Sequence, residues 1–144
     1  MIKNENQYEA ALKQHRGLIE KTIPEWKEKK DKDVSSKMNY DIFVGKAEEI
    51  KQEINEYEDL ISGKTKTIEI KSIADFPEAI VKYRIMNNIS YKELAKRTGI
   101  SEKDIIFYEV EHASDCYGKL PLERVVQIID AIGGDVSIKL GKKK

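Results

Sequence analysis

One cysteine, Cys116, stands in a chain of 144 residues, so no disulfide closes within it and its stability has to come from packing. Histidine is almost as scarce. His15 and His112 lie in different segments, and with a lone cysteine they offer no metal-ligand spacing, so neither a metal nor a cofactor is expected. The first thirty residues lack an apolar run of signal-peptide or membrane-spanning length, which points to a soluble, cytoplasmic chain with no membrane partner. Nor does an excess of charge of one sign exist: Lys+Arg and Asp+Glu are 26 each, so the whole-chain field draws in neither nucleic acid nor a basic partner, although a local basic face is still allowed. No glycine-rich phosphate loop, nucleophile elbow or spaced carboxylate pair stands out, and an enzyme is not expected.

What the chain does have is helical spacing. Tyr8, Leu12, His15 and Ile19 recur at steps of four, three and four, with Ala11 and Leu18 widening the stripe, which predicts a helix from about Glu5 to Thr22 that Pro24 interrupts or restarts. "KEKKDKDVSSK", residues 27–37, is dense in mixed charge and reads as a solvated helix end running into a loop. From about Tyr40 the pattern returns as a heptad seam, Ala47, Ile50, Ile54, Tyr57 and Ile61, which Gly63 ends. Residues 1–63 are therefore expected to form an N-terminal helical hairpin for dimerisation or partner binding. The spacing leaves open whether its stripes are used up internally or reach another surface.

Residues 64–144 form the second expected domain, and the period changes there. "TKTIEIKS", residues 65–72, alternates with Ile68 and Ile70 on one side, and "DVSIKL" does so with Val136, Ile138 and Leu140. Two short strands are expected to pair with each other or across a dimer, since a lone strand leaves its backbone unsatisfied. Between them the pattern is helical. "FPEAIVKYRIMNN" opens at Pro77, turns Ile80, Val81, Ile85 and Met86 inward, and stops at Asn87 and Asn88. A last helix after Pro121 carries Leu122, Val125, Val126, Ile129 and Ile132 inward up to Gly133 and Gly134.

The most informative window is "SYKELAKRTGISEKDIIFYE", residues 90–109. Ser90 with Glu93, and Ser101 with Asp104, cap two short helices. A steep crossing needs a small residue where the helices touch, a turn residue tolerant of left-handed geometry and apolar residues beneath. Ala95, Gly99 and Ile105 supply these, with Leu94, Ile100 and Tyr108 in support.

That run resembles the helix-turn-helix of the XRE, or Cro/CI repressor, family, whose typical sequence is T-Q-x-E-L-A-x-x-x-G-L-S-x-x-x-I-x-x-Y-E, and "LPLERVVQIIDAIGGDV" resembles the family's closing helix. The wider plan, "NQYEAAL" and then "EYEDLISGKTKTIEIKSIADFPEAIVKYRI" before the helix-turn-helix, is similar to bacterial regulators of this type that include HigA-type antitoxins. The resemblance implies a mainly α fold, an N-terminal αα-hairpin followed by a Cro/CI-like helix-turn-helix bundle with two short flanking β-strands. It also implies a sequence-specific DNA-binding transcriptional regulator of toxin–antitoxin type, a homodimer on double-stranded DNA with a toxin or other protein as a partner for the hairpin. Carried over position by position, the DNA-facing residues are Tyr91 and Lys92 at the start of the first helix and Ser101, Glu102, Lys103, Ile106 and Phe107 on the second.

The departures point to another class. Tyr91 stands where the family commonly has glutamine, and Glu102 and Asp104 bring negative charge to the groove-facing helix. Residues 75–132 hold eight Lys/Arg against ten Asp/Glu, a net of 8 − 10 = −2, unusual for a module whose affinity comes from counterion release. The alternative is a protein-interaction or assembly module that keeps the helix-turn-helix fold with weak or no DNA binding.

Overall fold

Asn4, in extended conformation, accepts a hydrogen bond from the backbone N–H of Gln7 at 2.9 Å and so starts α1, Glu5–Gly17. The structure, a computed structural model, describes residues 1–111 and 116–135, is mainly α-helical and divides into two compact units, Met1–Lys64 and Thr65–Lys144.

In the first unit the helix does not stop at Pro24. A π-helical turn, Leu18–Thr22, carries α1 directly into α2, Ile23–Lys29. Pro24 has no N–H to donate and its ring would crowd the carbonyl one α-turn back. The wider turn, in which Ile23 N–H bonds to Leu18 O, lets the chain pass without a break. The expected interruption is therefore a π-bulge. The line turned toward the interior also differs from the expected stripe: Leu12 and Ile19 are exposed, while Tyr8, Ala11, His15 and Leu18, at steps of three, four and three, are half-buried.

After a short turn, Asp33 accepts from Ser36 N–H at 2.7 Å and caps α3, Val34–Ile61, which thus starts earlier than the apolar pattern implied. α3 runs antiparallel to the first rod. Tyr8 stacks on Tyr57 at 5.1 Å toward one end, Trp26 meets Phe43 at 6.0 Å toward the other, and the Tyr8 hydroxyl donates to Glu58 at 2.8 Å. Ala47, Ile50, Ile54 and Tyr57 are buried along the seam. Its last member is Leu60, not Ile61, which is exposed although the heptad spacing would continue through it.

In the second unit residues 65–70 run without helix or strand, and no strand occurs among the described residues. The expected partner, "DVSIKL" at 135–140, lies outside them from Val136 onward, and a β-ladder is a property of two segments rather than one. Ile68 and Ile70 instead line a cavity of about 170 Å³ with Phe76, Ile80, Tyr83 and Ile132. A 3₁₀ turn at Ile73–Asp75 leads into α4, Phe76–Met86, which buries Ile80, Val81, Arg84 and Ile85, while Met86 is only half-buried. Asn88, at φ 54°, takes the left-handed conformation that ends α4, and Ile89 N–H returns to Arg84 O at 3.1 Å.

α5, Tyr91–Thr98, and α6, Glu102–Ile106, follow, then a π-helical turn, Phe107–Glu111, and a 3₁₀ turn, Cys116–Lys119. α7, Leu122–Ala131, presents Val125 and Ile128 to the interior, and Ile132, just past its end, is buried with them. Leu122 and Val126, expected inside, are exposed, and Ile129 is half-buried. This helix is apolar around much of its circumference, so spacing alone left two faces equally eligible.

Candidate nucleic-acid interface

The local geometry of residues 90–109 starts with its caps. Ser90 accepts from Glu93 N–H at 3.1 Å and Ser101 from Asp104 N–H at 3.1 Å, each in extended conformation, so each fixes where a helix begins and which residues its first turn projects. Between them Gly99, at φ 70°, sends its N–H back to Ala95 O at 2.8 Å, the left-handed closure that lets α6 leave α5 in a new direction. Thr98 reinforces the turn by donating to Leu94 O at 2.8 Å and accepting from Ile100 N–H at 3.2 Å. Leu94 and Ile105 are fully buried beneath the pair, and Ala95, Ile100 and Tyr108 are half-buried.

With the inner face occupied in this way, Ser101, Glu102, Lys103 and Phe107 project outward, Phe107 being 41% exposed and edge-on to Tyr108 at 5.9 Å. Ile106 is half-buried and offers only part of its side chain. Lys92 is exposed at the start of α5, whereas Tyr91 is half-buried with the Arg84 guanidinium over its ring at 4.6 Å. Ser101 already accepts one bond for its own helix, which leaves its hydroxyl a proton to donate and a second lone pair. The second helix is α-helical for only one turn and a half before the π-helical segment begins at Phe107.

Electrostatics on this face are mixed. Arg97 donates to Glu93 at 2.8 Å and to Ala131 O at 2.9 Å, and Arg84 is directed to Glu109. Lys92, Lys96 and Lys103 are the exposed lysines of α5 and α6, and Glu102 and Asp104 are exposed on the same short stretch. The Arg97 guanidinium hydrogen-bonded to Glu93 holds that carboxyl below the usual carboxylate range. Glu102 and Asp104 lie in the first turn of α6, where the positive end of the helix favours them.

Beneath the helix pair is a cluster that periodicity does not reveal. Arg84 of α4 makes a paired contact with the Glu109 carboxylate, donates to Ile89 O at 2.8 Å, and Glu109 also accepts from the Tyr117 hydroxyl. Burial, the largest single influence, would lower the Arg84 pKa, but the Glu109 charge and hydrogen bonds, with Tyr91 and Tyr117 beside them, together outweigh it and the net shift is upward. Burial, with Glu109 beside it, pushes the Tyr117 phenol far above its ordinary value. The one available signal was an arginine at the inward position of an otherwise apolar face, Ile80, Val81, Arg84 and Ile85, which demands a buried anion somewhere along the chain. α7 is tied to the same platform through Gln127, whose side-chain N–H donates to Thr98 O at 2.7 Å.

Fold and site together define a mainly α-helical chain whose second unit carries a capped helix, glycine turn and helix with a polar and aromatic outer face. Compared with protein-family models, with curated proteins and with solved structures, the chain finds no match. Among the described residues no helix is long and apolar enough to cross a membrane, and no three His, Cys, Asp or Glu side chains gather as a metal site would require.

Proposed function

We propose that the chain is a sequence-specific DNA-binding transcriptional regulator of the Cro/CI-like helix-turn-helix type, acting as a cytoplasmic homodimer on double-stranded DNA. The observation that carries this reading is the capped α5–Gly99–α6 pair, which buries Leu94 and Ile105 while turning Lys103 and Phe107 outward. A helix so presented fits the major groove, where an ammonium can donate to guanine and an aromatic ring can lie on a thymine methyl. The reading includes two flanking strands, 65–72 and 135–140, paired with each other or across the dimer. On the plan of HigA-type antitoxins, the N-terminal hairpin would meet a toxin.

A second reading is favoured by one observation, the exposed Glu102 and Asp104 on a helix that would lie against phosphate. On that reading the unit is an assembly module with little DNA affinity. Binding to the chain's own upstream region and to random DNA, titrated with salt, separates the two. A regulator loses affinity steeply with salt because each neutralised phosphate releases counterions. Failure to shift either DNA at low salt would end the regulator reading.

A further inference from the structure

The first half of α3 carries large apolar side chains on the side away from the hairpin seam. Val34, Met38 and Ile42 are 85%, 60% and 55% exposed, at successive spacings of four. At roughly 100° per residue they share one face with Gly45, while Ala47, Ile50, Ile54 and Tyr57 centre on the opposite side of the helix. Gly45 is exposed too, and a Cβ there would meet nothing within 4 Å, so the backbone at that point is open to close approach. Solvated helices place charge on such a face; three large apolar groups in line mark a contact surface.

We infer that this stripe is a self-association face, on which α3 packs antiparallel against α3 of a second copy about a two-fold axis at Met38. The flanking charges select that occupant and that direction. In an antiparallel pair each flank of a helix meets the same flank of its partner. Val34 and Ile42, both four residues from Met38, then face each other across the axis. Lys37 and Asp41 are both exposed on one flank, one residue before and three residues after Met38. Two-fold symmetry brings Lys37 of each copy alongside Asp41 of the other, giving two equivalent opposite-charge pairs. A parallel pair would set Met38 beside Met38 as well, but Val34 beside Val34, and it would turn the Lys37 and Asp41 flank toward the opposite flank of the partner, so the two charge pairs would not form.

A stable interface buries on the order of 800 Å² per partner, and one stripe on one helix lies at the small end of that range. The association is therefore weak and concentration-dependent rather than permanent. The inference takes the homodimer of the proposed function as its setting, and it is tested without DNA so that either can fail alone.

Two measurements on the full chain decide it. In sedimentation velocity the parent shifts from monomer to dimer across the micromolar range, and Met38→Glu, an exposed position whose change leaves the helical circular dichroism intact, stays monomeric at the same loading. In a Cys116→Ser background under mild oxidation, Met38→Cys forms a covalent dimer. Val34→Cys mixed with a differently tagged Ile42→Cys gives mainly the mixed product, whereas Val34→Cys alone links poorly. A parent that stays monomeric at several hundred micromolar overturns the inference. So does a dimer indifferent to Met38→Glu, which would move the interface to another surface, such as the exposed Leu122 and Val126 of α7. Efficient linking of Val34→Cys to itself would overturn the antiparallel arrangement.

Discussion

Arg84 Nη2 stands 2.7 Å from Glu109 Oε2 and its Nε 2.9 Å from the other carboxylate oxygen, with the two side chains 6% and 0% exposed. Twenty-five residues apart, they fasten the π-helical segment that follows α6 to α4, and the orientation of the outward face rests on that attachment.

Removing one partner of such a pair leaves a buried charge without compensation, at a cost of about 3–5 kcal/mol. Glu109→Gln should therefore destabilise the full chain to urea by that amount, since a neutral amide cannot answer the guanidinium. Arg84→Met with Glu109→Leu and Tyr117→Phe, which removes every member of the cluster, should recover much of the loss. A single variant that unfolds within about 1 kcal/mol of the parent would show that water reaches the pair.

Gly99 has φ 70° and a Cβ added there would meet no atom within 4 Å, so alanine at this position faces a backbone cost and no steric one. The left-handed conformation costs an ordinary L-residue roughly 1–2 kcal/mol. Gly99→Ala should lower stability by that much, and Gly99→Asn by less, because asparagine tolerates the region. Equal melting of the alanine variant and the parent would contradict the turn.

That glycine was legible in the sequence because its signal is local: a cap, a helix of known length and a turn residue occupy one window. The capping serines Ser90 and Ser101 were legible for the same reason, and they set which residues of α6 project outward. The seam of α3 was readable up to its last turn, where Ile61 and Leu60 are adjacent and only the packed structure distinguishes them. The inner face of α7 was not, because Leu122, Val125, Val126, Ile128, Ile129 and Ile132 make apolar spacing on more than one side. The role of Arg84 was hidden because its burial depends on a carboxylate far along the chain, and no local pattern encodes a partner at that distance. The π-bulge before Pro24 is a compromise between a missing donor and a continuous packed face, and a rule that treats proline as a stop cannot anticipate it.

Tyr117 gives a prediction in pH. Burial raises its pKa first, the Glu109 charge and hydrogen bond next, so the folded state keeps the phenol neutral where an unfolded tyrosine, with a pKa of about 10, ionises. A raised pKa means stability that is fully present below the unfolded value and lost as pH rises above it. Tyr117→Phe should be less stable than the parent near neutrality by about 1–3 kcal/mol, because Glu109 loses a buried donor. Above about pH 10 the gap should narrow, by up to 1.4 kcal/mol per pH unit for one proton. Urea midpoints of both proteins at neutral and alkaline pH test this; parallel curves would place the phenol in contact with solvent.

The outward face of α6 provides the test that separates a DNA reader from an assembly module. Lys103 and Phe107 lie on the exposed side, away from the fully buried Ile105, so replacing both by alanine should leave the fold intact, at a cost of about 1–2 kcal/mol, most of it the lost contact of Phe107 with Tyr108. Removing the side chain that reads a base edge costs about 1–3 kcal/mol of discrimination, so affinity for the upstream site should fall some tenfold to a hundredfold. Salt-sensitive binding to random DNA should largely persist, because the bonds to phosphate carry no sequence information. Glu102→Gln changes the opposite quantity: it removes a negative charge that would face phosphate, so affinity for random DNA should rise and the specificity ratio should drop. Its cost to the fold should be small, since the Ser101 cap that starts the helix is untouched. Electrophoretic shifts with both DNAs, run beside sedimentation of the same variants, give the answer. If the two changes alter self-association and leave DNA binding where it was, the exposed face of α6 serves assembly, and its lysine and phenylalanine meet protein instead of a groove.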